Sequence, residues 1–162
     1  MREQKSYSFN WTAWVSWVFL TMFGWLVGWV FLGEFWIGLG LGAAQWLLLR
    51  SRLEKSYWWV LASLAGWAVG HMAVLSFMPV GVREWAGLPI GVCLGAAQWI
   101  VLRQQVPRSG WWILISALGW LLAMTGVLGG SLVGAVAGAV TGVAAALFLE
   151  IRPQTDAGDQ GD

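Results

Sequence analysis

The segment LGAAQWLLLR at residues 41–50 returns almost unchanged as LGAAQWIVLR at residues 94–103, which is 53 positions later. A second pair has the same offset, because WWVLASLAGW at residues 58–67 returns as WWILISALGW at residues 111–120. Self-similarity at a fixed period is typical of a duplicated structural unit. The spacing therefore predicts that one architectural unit containing both segments occurs more than once in this chain.

The composition indicates a membrane protein. Charged residues make up 10% of the sequence, against about 25% in an ordinary soluble domain, and hydrophobic residues make up 59%. The net charge of +1 provides no strong basic field, so we expect no nucleic acid partner. The single cysteine, Cys93, allows neither an intrachain disulfide nor a cysteine metal cluster. We expect no metal site and no cofactor, and the lipid bilayer is the first partner.

Long uncharged runs set the number of helices. Residues 109–149 contain no charged side chain, and as one helix they would extend roughly 60 Å, about twice the hydrocarbon core. This run must fold back on itself, and Gly129-Gly130-Ser131 is the natural hinge. For the second helix, which is short, a re-entrant segment is the alternative. The same reasoning along the whole chain predicts six transmembrane helices, at residues 10–33, 35–49, 57–77, 85–102, 110–128 and 132–149.

Fainter third copies complete the repeat. WVFLTMFGW at residues 17–25 matches the odd-numbered helices, and TGVAAALFLE at residues 141–150 matches the even-numbered ones. Each unit makes an even number of crossings, so all copies point the same way about an axis along the membrane normal. We predict an all-α fold, a six-helix transmembrane bundle over residues 10–150 with a pseudo-threefold arrangement. Its three helical hairpins span about residues 10–49, 57–102 and 110–149.

The basic residues predict the orientation. With six crossings, eight of the nine lysines and arginines fall on one side of the membrane, and only Arg83 falls on the other. Positive charge is enriched in cytoplasmic loops, which predicts a bacterial inner-membrane protein with both termini in the cytoplasm. Residues 1–9 form a short cytoplasmic segment before a retained signal anchor. The acidic stretch at residues 151–162 is expected to be a disordered cytoplasmic tail.

Glycines four residues apart mark the even-numbered helices. In lipid, small residues at this spacing let two helix backbones approach closely. Glycine is also common in membrane helices in general, but its return at matched positions favours packing. We therefore predict that the even-numbered helices form an inner layer, with the bulkier odd-numbered helices outside. The predicted helix-packing glycines are Gly38, Gly42, Gly91, Gly95, Gly134, Gly138 and Gly142.

The 15 tryptophans separate by depth. Twelve of them, Trp17, Trp59 and Trp112 among them, lie near the predicted boundaries and suit an interfacial belt. The other three lie eight residues, or roughly 12 Å, deeper, where an indole N–H needs a partner. We expect them to pack in the core or against lipid, and an aromatic wall for a flat apolar ligand is the alternative. These deep tryptophans are Trp25, Trp67 and Trp120.

Polar residues inside the apolar runs form the second candidate site. Gln45 and Gln98 each precede an arginine by five positions, so they lie roughly 7 Å inside the cytoplasmic edge. A buried amide needs partners, and a hydroxyl on the neighbouring helix contributes about 0.6–2 kcal/mol. We expect structural hydrogen bonds, with a polar cavity or ligand site as the alternative. The matched hydroxyls on the odd-numbered helices are Thr21, Ser63 and Ser116.

Few residues within the predicted helices are suited to catalysis or to ion transport. His71 is the only histidine, and we expect it to be hydrogen-bonded in the packing, with metal or tetrapyrrole ligation as the alternative. No acidic or basic residue falls in mid-membrane, although ion-coupled pumps keep such groups there. The sequence contains no H-E-x-x-H, G-x-S-x-G or P-loop motif, so we do not expect an enzyme.

The motif G-x-x-x-G-x-x-Q-W-x-x-L-R, together with W-W-x-L-x-S-x-x-G-W, resembles a group of small bacterial polytopic membrane proteins with this hairpin in tandem. The resemblance covers about 140 residues and implies an architecture but no activity. Size and tryptophan content are also similar to the tryptophan-rich sensory protein family, which binds porphyrins and lipids. That family has five helices and a W-x-P-P signature, whereas no two of the four prolines are adjacent here. This second likeness is one of composition alone.

Together these features predict a non-enzymatic integral membrane protein. We expect a scaffold or a subunit of a membrane complex, with a second copy or another membrane protein as partner, that holds a lipid or apolar ligand between its hairpins. The alternative is a small-solute transporter or channel with a path past Gln45, Gln98 and Ser63. Ala145 replaces the glutamine in the third copy, which argues against a threefold selectivity filter.

Overall fold

The computed structural model describes residues 9–125 and 130–149, and all regular structure within these ranges is helical. The prediction of six helices and no strands is confirmed for this part of the chain. Most of the predicted N-terminal segment and the whole acidic tail lie outside the described residues. The six helices are α1 (Trp11–Val27), α2 (Ile37–Leu49), α3 (Tyr57–Phe77), α4 (Gly87–Leu102), α5 (Trp111–Met124) and α6 (Val133–Leu149).

Local sequence explains where the helices begin and end. The Asn10 side chain accepts a hydrogen bond from the backbone N–H of Ala13 at 2.9 Å, which caps the start of α1. At its other end α1 widens into a π-helical turn over Gly28–Leu32, and Gly33 at φ 86° ends it because glycine adopts positive φ without strain. Helix α3 ends at an extended Met78, the residue before Pro79, where proline disfavours helical geometry.

Helix length separates the six helices into two classes. The stretches Trp11–Leu32 and Tyr57–Phe77 are long and apolar enough to cross a membrane by length and composition. The other four are apolar but shorter: α5 has 14 residues and would extend about 21 Å. Length alone therefore identifies two membrane-spanning candidates, and the predicted count of six crossings stays a prediction.

The helices close into a ring. Each helix packs mainly against its two neighbours in the chain, and α6 packs against α1, which joins the first helix to the last. Helices α2, α4 and α6 each lie between two odd-numbered helices. The predicted inner layer of even-numbered helices is therefore wrong, because all six helices belong to one ring.

The predicted packing glycines lie where an even-numbered helix meets the odd-numbered helix that follows it around the ring. A Cβ on Gly38 would lie 2.5 Å from the backbone oxygen of Ser63, and one on Gly134 would lie 2.6 Å from the Cβ of Trp25. Such contacts are too short for any other residue, so the backbones meet at glycine. Contacts shorter than 3.0 Å also occur at Gly42, Gly91, Gly95 and Gly138, whereas a Cβ on Gly142 would meet only tryptophan side chains, at 3.1 Å from Trp14 and 3.2 Å from Trp17.

The two ends of the bundle differ in their connections. The linker end carries the segments between hairpins, residues 50–56 and 103–110. In these two segments Lys55 (φ 52°) and Arg108 (φ 59°), which are 53 positions apart, both adopt the left-handed conformation. The opposite end, which we call the hairpin end, carries the described parts of the turns inside the hairpins, including the short helical turns Glu34–Trp36 between α1 and α2 and Gly130–Leu132 before α6.

Candidate functional site

Three indoles meet at the centre of the ring on the side of the linker end. Trp17 of α1, Trp59 of α3 and Trp112 of α5 contact one another edge to face, with centroid separations of 6.1, 5.8 and 5.6 Å. Their side chains are only 1–2% exposed. The expectation that they belong to an interfacial belt is wrong. The distance of a residue from the charged residues indicates its depth along the helix, but it does not indicate whether the side chain faces the lipid or the centre of the bundle.

A second aromatic layer lies toward the hairpin end. Trp25, Trp67 and Trp120 form another mutual contact, with centroids 5.7, 5.7 and 5.3 Å apart. Two of the indole N–H groups donate to backbone carbonyls, Trp67 to Glu34 at 2.7 Å and Trp25 to Gly130 at 3.2 Å. The deep tryptophans thus pack against each other in the core.

Gln45 ties three helices together between the two aromatic layers. Its Oε1 accepts from the indole N–H of Trp59 at 3.0 Å, and its Nε2 donates to the hydroxyl of Thr21 at 3.1 Å. The partners belong to α3 and α1, on either side of α2. A single buried amide therefore hydrogen-bonds to both neighbouring helices. These bonds give the buried amide its partners and also fix the register of the two helices relative to α2.

Gln98 repeats this arrangement one hairpin later. Its Oε1 accepts from Trp112 at 2.9 Å, and its Nε2 donates to Ser63 at 2.9 Å and more weakly to Gln45 Oε1 at 3.4 Å. Both amides are buried. The structure thus brings the glutamines and the hydroxyls of Thr21 and Ser63 into one buried polar layer.

The third copy of this layer is incomplete. Helix α6 carries Ala145 at the matched position, and Trp17 donates instead to the hydroxyl of Thr141 at 3.0 Å, one turn earlier. Thr141 in turn donates to the carbonyl of Ala137 at 2.8 Å. No amide reaches Ser116, whose buried hydroxyl has no hydrogen-bond partner among the described residues. The acceptor for the tryptophan has been replaced, but the donor for the serine has not.

A cavity of about 320 Å³ opens at the hairpin end, above the second aromatic layer. His71 and Glu34 provide its polar groups, with His71 Nε2 3.7 Å from Glu34 Oε2. The imidazole is 13% exposed and the carboxylate 72%, and the ring of Phe35 lies edge-on to the imidazole at 5.2 Å. The apolar wall includes Trp25, Trp29, Ile37, Trp67, Val74, Ile90 and Met124.

This cavity suits a small, mainly apolar molecule with one polar group. Ligand pockets are typically concave and apolar with few polar groups, and this one has a size near the lower end of their range. No group of three His, Cys, Asp or Glu side chains that could hold a metal ion occurs within residues 9–125 and 130–149. His71, Trp25 and Trp67 were predicted from the sequence as candidate site residues, and Glu34, which the structure places beside the histidine, was not among them.

The spacing of Trp17, Thr21 and Trp25 contained a signal that the sequence analysis missed. Residues four and eight apart lie along one stripe of a helix. Because the hydroxyl was expected to be buried, the tryptophans on both sides of it on the same stripe had to be buried too.

No family model, curated protein or solved structure matches this chain, so the resemblance to the hairpin-repeat group stays a prediction from its motifs.

Proposed function

We propose that this chain is a non-enzymatic, multi-pass protein of the bacterial inner membrane whose six helices all cross the bilayer. The observation that carries the proposal is the distribution of polarity: the buried layer contains glutamine, serine and threonine, while large apolar side chains are exposed. Water-soluble monomers rarely expose large continuous apolar surfaces. Every helix contributes to this surface, with Phe23, Leu47, Val69, Ile100, Leu118 and Val143 as examples.

The short helices are compatible with six crossings. A helix shorter than the hydrocarbon core is accommodated by local thinning of the bilayer and by long side chains that reach the interface. Arg50 and Arg103 end α2 and α4, and their guanidinium groups lie 5.9 and 5.2 Å from the rings of Trp46 and Trp99. An arginine over a tryptophan is a suitable anchor at a membrane boundary.

The charges support a cytoplasmic linker end. Within residues 9–125 and 130–149, five of the six lysines and arginines belong to the linkers at this end, and Arg83 alone belongs to the other. By the positive-inside rule the linker end faces the cytoplasm, and both chain termini lie there. The matched contacts at the two tryptophan layers are what a pseudo-threefold arrangement of three hairpins would produce.

We further propose that the bundle acts as a rigid scaffold or subunit that holds an apolar or amphiphilic ligand in the hairpin-end cavity. Two layers of mutually packed indoles and the buried polar layer between them occupy the axis of the ring. A small-solute path along this axis would require both tryptophan layers to separate. A channel is therefore the weaker candidate, and solute flux in proteoliposomes that Gln45→Leu reduces would reinstate it.

The scaffold and ligand proposal is tested by purification in a mild detergent followed by native mass spectrometry. We expect the protein to resist extraction from membranes by alkaline carbonate and to retain a second subunit or a small molecule. Trp29→Ala, which removes part of the cavity wall, should lower retention of the small molecule. Trp36→Ala is the matched control, because this indole is similarly exposed (52%, against 47% for Trp29) but does not line the cavity. A strictly monomeric, ligand-free particle would contradict the proposal.

A further inference from the structure

A groove of about 600 Å³ lies on the surface between α3 and α4 near the linker end. Its floor contains the small side chains of Ala62, Ala65 and Ala97, and larger apolar side chains such as Trp58 and Ile100 flank it. The volume falls within the range of about 300–1,000 Å³ that is typical of ligand pockets. The groove lies on the outer surface of the ring, within the middle hairpin.

Comparison of the three hairpins shows why the groove is here. The tryptophans of the central layers align α1, α3 and α5, and in this alignment Ala62 corresponds to Leu20 in α1 and to Ile115 in α5. Ala65 corresponds in the same way to Phe23 and Leu118, both of which are large. The middle hairpin therefore lacks side-chain volume that the other two carry at the same places, while the tryptophan and glutamine contacts of its core are kept.

The rim of the groove at the linker end is polar and lies among positive charges. Lys55, Gln104 and Gln105 contribute to it, together with Glu54. Gln105 fastens the two linkers together, because its side-chain amide exchanges two hydrogen bonds of 2.8 Å with the backbone of Glu54. Apart from Glu54, the charged residues of the two linkers are all basic: Arg50, Arg52, Lys55, Arg103 and Arg108.

We infer that this groove binds one anionic phospholipid of the cytoplasmic leaflet. One acyl chain lies over the three alanines, and the phosphate faces the ammonium group of Lys55 and the amide of Gln104. The basic residues of the linkers complement the negative headgroup, and such charges near the cytoplasmic surface attract anionic lipids. The inference rests on the proposed membrane location but is independent of the ligand in the hairpin-end cavity.

The test is a lipid titration of the detergent-purified protein followed by native mass spectrometry. Phosphatidylglycerol and phosphatidylcholine with identical acyl chains are compared. We expect one phosphatidylglycerol to be retained at least tenfold more tightly than any further lipid. Filling the groove with the side chains of the first hairpin, by Ala62→Leu with Ala65→Phe, should abolish this first step. Val69→Leu, an exposed change on α3 outside the groove, should leave it unchanged.

The headgroup contact is tested by changing the charge of the rim. Lys55→Gln should reduce the preference for phosphatidylglycerol over phosphatidylcholine about fivefold, and Lys55→Arg should restore most of it. Arg108→Gln is the control, because this residue is the counterpart of Lys55 in the other linker and does not line the groove. Equal loss of preference in the Lys55 and Arg108 variants would assign the effect to the general charge of the linker end and overturn the site.

A fluorescence measurement keeps the inference testable if the filled variant does not fold. Phosphatidylglycerol with brominated acyl chains should quench wild-type fluorescence more than the Trp58→Phe variant, since the Trp58 side chain lines the groove. If alkaline carbonate releases the protein from membranes, the proposed membrane function fails. If the protein stays in the membrane but the filled variant retains phosphatidylglycerol as the wild type does, the groove assignment alone is overturned.

Discussion

Ser63 and Ser116 occupy matched positions in α3 and α5, yet only one of the two hydroxyls has a partner. Ser63 accepts a hydrogen bond of 2.9 Å from Gln98, whereas Ser116 makes no hydrogen bond within the described residues. Both side chains are at most 1% exposed. Replacing either serine with alanine removes one oxygen and keeps the Cβ, so the two substitutions change the packing in the same way and differ in hydrogen bonding.

The structure assigns opposite consequences to the two substitutions. Ser63→Ala leaves the Nε2 group of Gln98 with only its weaker 3.4 Å contact to Gln45, while Oε1 still accepts from Trp112. Hydrogen bonds between membrane helices contribute on average about 0.6 kcal/mol, and a buried donor that loses its partner costs about 1–3 kcal/mol. We expect Ser63→Ala to lower the free energy of unfolding by about 1–2 kcal/mol. Ser116→Ala removes a hydroxyl whose burial is not compensated, so the free energy of unfolding should stay the same or rise by up to about 1 kcal/mol.

The assay is reversible unfolding in mixed micelles, with increasing sodium dodecyl sulfate and intrinsic tryptophan fluorescence as the signal. The six central indoles lose their mutual contacts on unfolding, so the signal reports on the core directly. Gln98 remains in both variants, which keeps the rest of the polar layer constant. Equal destabilisation by the two substitutions, or a larger loss for Ser116→Ala, would refute the account of the incomplete third copy.

Further predictions concern the glycine contacts and the amide. Gly91→Ala should lower the free energy of unfolding by about 1–3 kcal/mol in the same assay, because the new Cβ would lie 2.7 Å from the Cα of Ala117. Gly110→Ala is its control and should be neutral or stabilising by up to about 1 kcal/mol, since no atom lies within 4 Å of that Cβ and φ is −58°. Gln45→Leu should lower the free energy of unfolding by about 1–3 kcal/mol, because the indole N–H of Trp59 loses its acceptor; an unchanged unfolding transition would show that the amide is dispensable.

Much of the helical architecture follows from the sequence. Long uncharged runs divided by the linker arginines and by the hinge Gly129-Gly130-Ser131 predict six helices. The helix bounds agree within a few residues over the described part of the chain when the π-helical turn Gly28–Leu32 is counted with α1. The nearly identical decapeptides predict equivalent surroundings for Gln45 and Gln98, and both amides do accept from a tryptophan and donate to a hydroxyl. These features depend on local composition and on direct repetition, both of which can be read from the sequence itself.

Which face of each helix is buried in the bundle could not be predicted in the same way. A helix that is apolar on all sides gives little amphipathic signal, so hydrophobicity does not separate the buried Trp59 from its exposed neighbour Trp58, and only the four-residue spacing to Ser63 does. Thr141 illustrates a second limit, because it takes over the acceptor role from a position one turn away and no alignment of the repeats indicates this. The groove over Ala62 and Ala65 is a third case, because it arises where these alanines are smaller than the matched residues of the other hairpins, and no sequence motif marks such a place.

The central claim, that three hairpins cross the membrane and point the same way, is tested most directly by the sidedness of the two linkers and of one hairpin turn. Single cysteines at Ser51, Gln104 and Phe35 in a Cys93→Ser background would be treated with a membrane-impermeant thiol reagent, on spheroplasts and on inverted vesicles. The account predicts that the two linker cysteines react only in inverted vesicles and that the cysteine at Phe35 reacts only in spheroplasts. Reaction of the two linker cysteines from opposite sides would mean that the middle hairpin crosses an odd number of times, and the proposed arrangement would be wrong.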